Sequence, residues 1–269
     1  MEWSEAIAGW CRSLAAASRS KATIKLRQTQ LRRLVLAYPQ GPWAVTTADL
    51  LDWLGSRGWA RDTLRSHRAA LRSFYAWGVA AGHIERSPAT GLPAIRPAQP
   101  RPRPTPDLTY RLAHGQARGW EVLALRLGAE AGLRRGEIAQ VHEGDLIEDL
   151  TGWSLLVHGK GDKIRMVPLG DHLASAIRDA CRAGGGYAFP GRIDGHISPG
   201  YLGKRISALM PDGVSTHSLR HRFATRAYSV DRDVFAVQQL LGHASPETTR
   251  RYVQVPDDRL RRTVEAIAA

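Results

Sequence analysis

Prolines are concentrated in one short stretch of this chain, and that stretch most limits the folds available to it. Proline fixes φ and lacks a backbone N–H, so a dense run excludes helix and central strand and favours extended, semi-rigid backbone. With 269 residues, the chain can build two modest cores. We therefore expect a linker over residues 96–106 between domains covering 1–95 and 107–269. The prolines are Pro88, Pro93, Pro97, Pro100, Pro102, Pro104 and Pro106.

Before the linker, four segments between residues 3 and 82 repeat apolar residues at helical spacing. Ser20 stands where the second helix would begin, and Thr46 or Thr47 stands where the third would begin. Phe74 and Tyr75 fall on the apolar side of the fourth, so we expect them in the core rather than on a surface that stacks a ligand. Arginines opposite this stripe, and in the linker unless it is an inert spacer, are expected to contact an anionic partner. They are Arg65, Arg68, Arg72, Arg101 and Arg103.

After the linker the pattern is mixed. Two short β-type runs, Trp153–His158 and Lys163–Pro168, flank a Gly-Lys-Gly-Asp turn and predict a hairpin. The predicted fold class is therefore mainly α with a small β-sheet, with an all-helical first domain and an α+β second domain. Helical periodicity covers residues 107–117, 120–131, 172–181, 199–209, 218–228 and 234–241.

The charge of the chain indicates a polyanionic partner. Its formal net charge is +13 and its pI is near 10.5, which makes nucleic acid the first candidate. Only five of the 38 basic residues are lysines. Arginine forms planar, bidentate contacts with phosphates and guanine edges. A GC-rich genome would explain the preference for arginine over lysine, but not the net charge.

Several classes of protein are disfavoured. No stretch approaches the roughly 18 apolar residues of a membrane span, and the first residues lack a cationic leader, so we expect a soluble, cytoplasmic protein. Cys11 and Cys181 cannot form a disulfide framework or a zinc cluster and are expected to be packing residues. No carboxylate cluster suits magnesium, so we expect no cofactor.

Four short motifs in the second half carry the candidate chemistry. They are Gly132-Leu-Arg134 with Glu137, Gly159-Lys160-Gly161, His217-Ser-Leu-Arg220-His221, and Leu-Leu-Gly-His243 with Tyr252 nine positions later. In this order the motifs resemble the catalytic set of the tyrosine recombinases, the phage integrase and Xer group. The resemblance implies a helical, SAM-like core-binding domain followed by the α+β tyrosine-recombinase catalytic domain.

Metal-free cleavage of a phosphodiester requires a nucleophile, positively charged protein groups beside the non-bridging oxygens and a proton for the leaving oxygen. The resemblance implies that Tyr252 is the nucleophile, attached afterwards as a 3′-phosphotyrosine, and that Lys160 protonates the 5′ oxygen, with Lys163 as the fallback. It makes His217 an acid/base and His243 a donor to the phosphate. The remaining roles belong to Arg134 and Arg220 on the phosphate, with Glu137 and His221 in support.

The sequence departs from the family at Arg222, where Ser or Thr is commoner, and we expect a DNA contact or a surface charge there. Beyond Tyr252, residues 257–269 show apolar positions at helical spacing. This tail is expected to dock on a neighbouring protomer, the alternative being its own domain.

The predicted function is that of a phage-type integrase, a site-specific recombinase that acts through a Holliday junction. Its expected partner is double-stranded DNA with core attachment-type sites, bound by a homotetramer; the sequence does not specify accessory proteins. Two alternatives stay open: a Xer-like or transposon resolvase, and a catalytically silent DNA-binding protein with the same fold.

Overall fold

The computed structural model describes residues 1–97, 102–159 and 163–242. It divides into two compact units, Met1–Gln99 and Pro100–Ala269. Helices dominate both units, and the second also contains a small sheet, which confirms the predicted fold class.

The first unit is a bundle of four helices around aromatic side chains. Ser20 caps α2 by accepting a hydrogen bond from the Thr23 amide, as its sequence position predicts. Phe74 is fully buried, stacks on Trp43 at 5.5 Å and meets Trp10 edge-on. The aromatic stripe therefore forms core, as expected. The helices are α1 (Trp3–Ala16), α2 (Lys21–Val35), α3 (Thr47–Gly55) and α4 (Arg61–Ala80).

The arginines on the outer side of α4 differ in their surroundings. Arg65 and Arg72 are exposed, and Arg65 lies 3.4 Å from Asp62. Arg68 instead donates from Nε and Nη2 to the Leu92 carbonyl, at 3.2 and 2.7 Å. Two hydrogen bonds from Arg68 thus hold the segment that follows α4 against this helix.

The second unit surrounds a three-stranded antiparallel sheet in the order β1-β2-β3. The strands β2 and β3 form the predicted hairpin, in which Val157 pairs with Arg165. Two four-residue strands were not predicted, because β1 is partly acidic and β4 is fully exposed. The strands are β1 (Leu146–Asp149), β2 (Gly152–His158), β3 (Ile164–Leu169) and β4 (Pro190–Ile193).

Close packing of α6 against α10 fixes the framework of the site. A Cβ added at Gly128 of α6 would lie 3.1 Å from Leu219 of α10. At the end of α6, Gly132 has φ +65°, and a Cβ there would lie 2.4 Å from the Phe223 ring. The helices of this unit are α5 (Asp107–Gln116), α6 (Trp120–Glu130), α7 (Arg135–Ala139), α8 (Asp171–Ala183), α9 (Pro199–Ala208), α10 (Thr216–Asp231) and α11 (Val234–Leu241).

The expectation for Arg222 is wrong. Its side chain is buried: Nε and Nη2 donate to Asp107 at 3.0 and 2.7 Å, and the guanidinium lies 4.4 Å from the Tyr110 ring centroid. The helical phase of α10 turns position 222 towards α5 rather than towards solvent. Arg222 therefore joins these two helices.

The two cysteines are packing residues, as expected: Cys181 is fully buried and Cys11 partly so. Among the described residues, no helix is both long and apolar enough to cross a bilayer.

Candidate active site

Glu137 is the centre of the site and fixes Arg134 through both backbone and side chain. Arg134 precedes the first turn of α7, where its N–H donates to Glu137 Oε2 at 2.8 Å. Its Nη1 donates to Oε1 at 2.7 Å. A carboxylate three residues into a helix can reach back to the N-cap amide, and this explains the spacing of the two residues.

Two more arginines converge on the same carboxylate. Arg165 of β3 binds it with a fork, Nη1 to Oε1 at 3.0 Å and Nη2 to Oε2 at 2.7 Å. Arg220 Nη1 lies 3.8 Å from Oε2. Burial raises the pKa of Glu137, but the bonds from Arg165 and Arg134 outweigh it and lower the pKa to about 2. Glu137 is therefore ionised at neutral pH.

Arg220 is fully buried and links the C-terminal ends of two helices. Its Nη1 donates to the Gly132 carbonyl at 2.6 Å, just after α6, and its Nη2 donates to the Leu241 carbonyl at the end of α11. Charge-assisted bonds of this kind compensate the cost of removing a guanidinium from water. Arg220 thus sits at a fixed position in the floor of the site.

His217 lies in the first turn of α10, and Ser215 caps this helix. The imidazole ring is perpendicular to that of His221, with the ring centroids 4.8 Å apart. Burial, followed by the charges of Arg220 and Arg134, lowers the pKa of His217. The neutral ring is therefore favoured near pH 7 and has a nitrogen that can accept a proton.

These side chains meet at a cavity of about 630 Å³. Arg134, His217 and Arg220 line it, together with Arg135 and Lys204. Within the described part of the chain, none of its lining residues is acidic, so the cavity suits an anion. The lining also contains hydroxyl donors at Ser207, Ser215 and Thr216.

Comparison with known proteins decides the family. The model of the phage integrase family matches residues 110–259, more than half of the chain. The chain belongs to the phage integrase family. It is a site-specific tyrosine recombinase, an enzyme that cleaves and rejoins DNA strands.

Two relatives illustrate the similarity of this recombinase to the Xer group. It is 35% identical over 225 residues to tyrosine recombinase XerC of Xylella fastidiosa (strain 9a5c), covering 78% of this chain and 76% of the relative. It is 33% identical over 277 residues to XerC of Xanthomonas campestris pv. campestris (strain B100), covering 97% and 79%.

Solved structures share the fold at lower identity. A lambda integrase dimer bound to a COC′ core site matches with a TM-score of 0.75 and 19% identity, covering 94% of this chain and 77% of that one. XerH recombinase bound to a palindromic difH substrate matches with a TM-score of 0.67 and 20% identity, covering 92% and 78%.

Of the predicted catalytic residues of this recombinase, Arg134, His217 and Arg220 come together at the cavity. Lys160, His243, Tyr252 and the DNA-contact candidate Arg101 lie outside the described residues. Their nearest described neighbours flank the site. The Gly159 amide donates to the Lys163 carbonyl at 2.7 Å across the base of the hairpin turn, and Gly242 ends α11 immediately before His243. Arg103 in the linker is exposed.

Arg165 was missed by the sequence analysis although the sequence carries a signal for it. In β3, Val167 and Leu169 are buried, whereas the alternate residues are exposed, namely Ile164, Met166 and Pro168. The period of two places Arg165 on the same face as those two apolar residues. A cation on the inner face of a strand indicates a buried carboxylate partner, here Glu137.

Proposed function

We propose that the cavity holds the scissile phosphate of double-stranded DNA and that the chain cleaves it through a 3′-phosphotyrosine on Tyr252. The observation that supports this most is the convergence of Arg134, Arg220 and His217 on one anion-accepting cavity, with Glu137 behind the arginines. Two guanidiniums reduce the negative charge that repels an incoming phenolate, and their bidentate geometry suits phosphate oxygens.

In the proposed step, the Tyr252 hydroxyl oxygen forms a bond to phosphorus while the bond from phosphorus to the 5′ oxygen breaks. The departing oxygen takes the bonding electron pair and a proton from Lys160, and His243 donates to the phosphate. His217, favoured as the neutral ring, accepts the phenol proton. Attack by the 5′ hydroxyl of another strand reverses these bonds, so rejoining needs no external energy source.

We further propose that residues 1–95 form a helical DNA-binding domain, 96–106 a linker and 107–269 the catalytic domain. Exposed Arg65 and Arg72 would contact backbone phosphates, as would the linker arginines, Arg101 and Arg103. Such contacts supply much of the affinity of DNA-binding proteins and make it depend on salt.

Assembly on DNA is proposed by analogy with the solved structures. Among these is a lambda integrase tetramer bound to a Holliday junction, which matches with a TM-score of 0.75 over 96% of this chain. By this analogy, the chain would act in the cytoplasm as a homotetramer bound to core attachment-type sites. The identity to XerC proteins supports a second candidate, a Xer-like resolvase.

A nicked duplex tests the cleavage proposal. Inverted repeats selected for binding from a random-sequence pool are placed around a nicked spacer, and products are separated by denaturing electrophoresis. We expect a covalent adduct with the wild type and with the control Tyr201→Phe, and none with Tyr252→Phe. Absence of the wild-type adduct, or an equal amount with Tyr252→Phe, would refute the proposal.

Recombination of plasmids separates the two candidate functions. Efficient exchange between two identical, directly repeated sites supports the Xer-like resolvase. Exchange that requires two different flanking sequences supports the integrase.

A further inference from the structure

Arg165 contacts the three parts of the chain on which the proposed mechanism depends. We propose that it is a positioning residue: its guanidinium holds the Arg134–Glu137 pair, the hairpin that carries Lys160 and the chain that leads to His243 in one fixed arrangement. This inference rests on the proposed function and adds a residue that none of the four motifs contains.

The first contact is with Glu137. Nη1 and Nη2 of Arg165 each donate to a different oxygen of the Glu137 carboxylate, and the exposed fractions of the Arg165 and Glu137 side chains are only 10% and 5%. The fork prevents the carboxylate from rotating, so the Glu137 oxygen that accepts from Arg134 Nη1 is held in place as well. Arg165 is not among the residues that line the cavity, so we assign it no contact with the phosphate.

The second contact is with the end of α11. Arg165 Nε donates to the Leu240 carbonyl at 2.9 Å. Gly242 follows with φ +62°, and a Cβ there would lie 2.8 Å from Arg165 Cδ. The backbone therefore passes directly over the stem of this side chain before it reaches His243, the next residue.

The third contact is made by the backbone of Arg165. In the sheet Arg165 is paired with Val157, and the next pair joins Ile164 to His158. These pairs and the bond between Gly159 and Lys163 form the base of the turn that contains Lys160. Movement of the Arg165 side chain relative to this base would change the distance between the paired ends of β2 and β3 and Glu137.

Lysine could not replace this arginine. The planar guanidinium directs Nη1 and Nη2 at the carboxylate while Nε points at the Leu240 carbonyl. An ammonium group is a single point charge and cannot hold two partners in these directions. Small displacements of catalytic groups slow reactions strongly, whereas DNA affinity is spread over many phosphate contacts. Loss of Arg165 should therefore affect cleavage much more than binding.

The test compares single-turnover cleavage of the nicked duplex at saturating DNA with the Kd for the same duplex. We expect Arg165→Ala and Arg165→Lys each to slow adduct formation roughly 10- to 100-fold and to change Kd less than about twofold. Arg205→Ala is the matched control, because Arg205 also holds a buried carboxylate, that of Glu121, at 2.6 and 2.9 Å between two helices. It should change neither quantity more than about twofold.

A double-mutant cycle distinguishes positioning from general stability. If Arg165 acts through Glu137, Arg165→Ala with Glu137→Gln should be within about threefold of the slower single variant. Rates that multiply, or an Arg165→Lys rate equal to that of the wild type, would overturn the inference. Tyr252→Phe is run in parallel: an adduct from Tyr252→Phe refutes the cleavage mechanism, whereas an unchanged rate in both Arg165 variants refutes only the role of Arg165.

Discussion

Replacing Glu137 with glutamine should destabilise the second unit by about 3 kcal/mol at neutral pH. The pKa of this carboxyl falls from its ordinary 4.5 to about 2, and each pKa unit corresponds to about 1.4 kcal/mol. Removing one partner from a buried ion pair costs about 3 to 5 kcal/mol, which agrees. Glutamine also places an NH₂ group against guanidinium donors, since Arg134 and Arg165 together donate to both carboxylate oxygens.

Amide hydrogen exchange of peptides from α6 measures this effect in the second unit alone. About 3 kcal/mol corresponds to exchange roughly 150-fold faster at pH 7, under conditions in which the exchange rate reports the equilibrium between the closed and open states. Glu130→Gln is the control, because Glu130 is 40% exposed and its pair with Arg126 lies on the surface of α6. It should cost at most about 1 kcal/mol. An acceleration below about threefold for Glu137→Gln would refute the central role of this carboxylate.

The same reasoning gives a dependence on pH. A carboxyl whose pKa is lower in the folded state than in the unfolded state stabilises the fold above the unfolded value. That contribution is lost as the pH falls from about 4.5 to about 2. The protection of α6 peptides in the wild type should therefore decrease through this range more steeply than in Glu137→Gln. Parallel curves for the two proteins would contradict the assignment.

Three further predictions concern single groups. Lys160→Ala should slow adduct formation roughly a hundredfold and leave duplex Kd nearly unchanged, whereas an equal loss of both would make Lys160 a docking residue. His217 should titrate below its ordinary pKa of 6.5 by NMR in the free protein and move upward in Arg134→Ala, and titration at or above 6.5 would contradict its placement. Gly132→Ala should lower the free energy of unfolding, measured by chemical denaturation, by about 3 kcal/mol, because φ is positive and the Phe223 ring fills the Cβ position. The control Gly115→Ala, on an open helix surface, should not destabilise. Equal losses in the two variants would refute the steric reason.

Local signals in the sequence were sufficient for most of the helices and for the hairpin. The bounds of α11 coincide with those predicted, because an Asp233 cap and Gly242 delimit its apolar residues. The strand β1 escaped prediction, since four residues that end in Glu148 and Asp149 show too little alternation. The ends of α11 were therefore predictable, whereas α10 extends from Thr216 to Asp231 and is longer at both ends than the predicted 218–228, and the short polar strands were not predicted.

The site was predictable where its residues are close in sequence. Arg134 and Glu137 are three residues apart, and the capping geometry of α7 explains that spacing. The pair of Glu137 with Arg165 spans 28 residues and depends on how β3 packs against α7. Arg222 was assigned to the surface because a helical pattern with a basic residue does not reveal which neighbour that residue faces. Such long-range pairs follow from tertiary packing alone.

The cluster around Glu137 has a consequence for the reaction itself. Three guanidiniums face one carboxylate, so the group keeps a surplus of two positive charges. A resting phosphodiester carries a single negative charge. When the entering and leaving oxygens are both bound to phosphorus, the phosphoryl group carries up to two. In the proposed mechanism, the protein thus presents a fixed potential that matches the reacting species better than the resting one, and such a difference accelerates a chemical step.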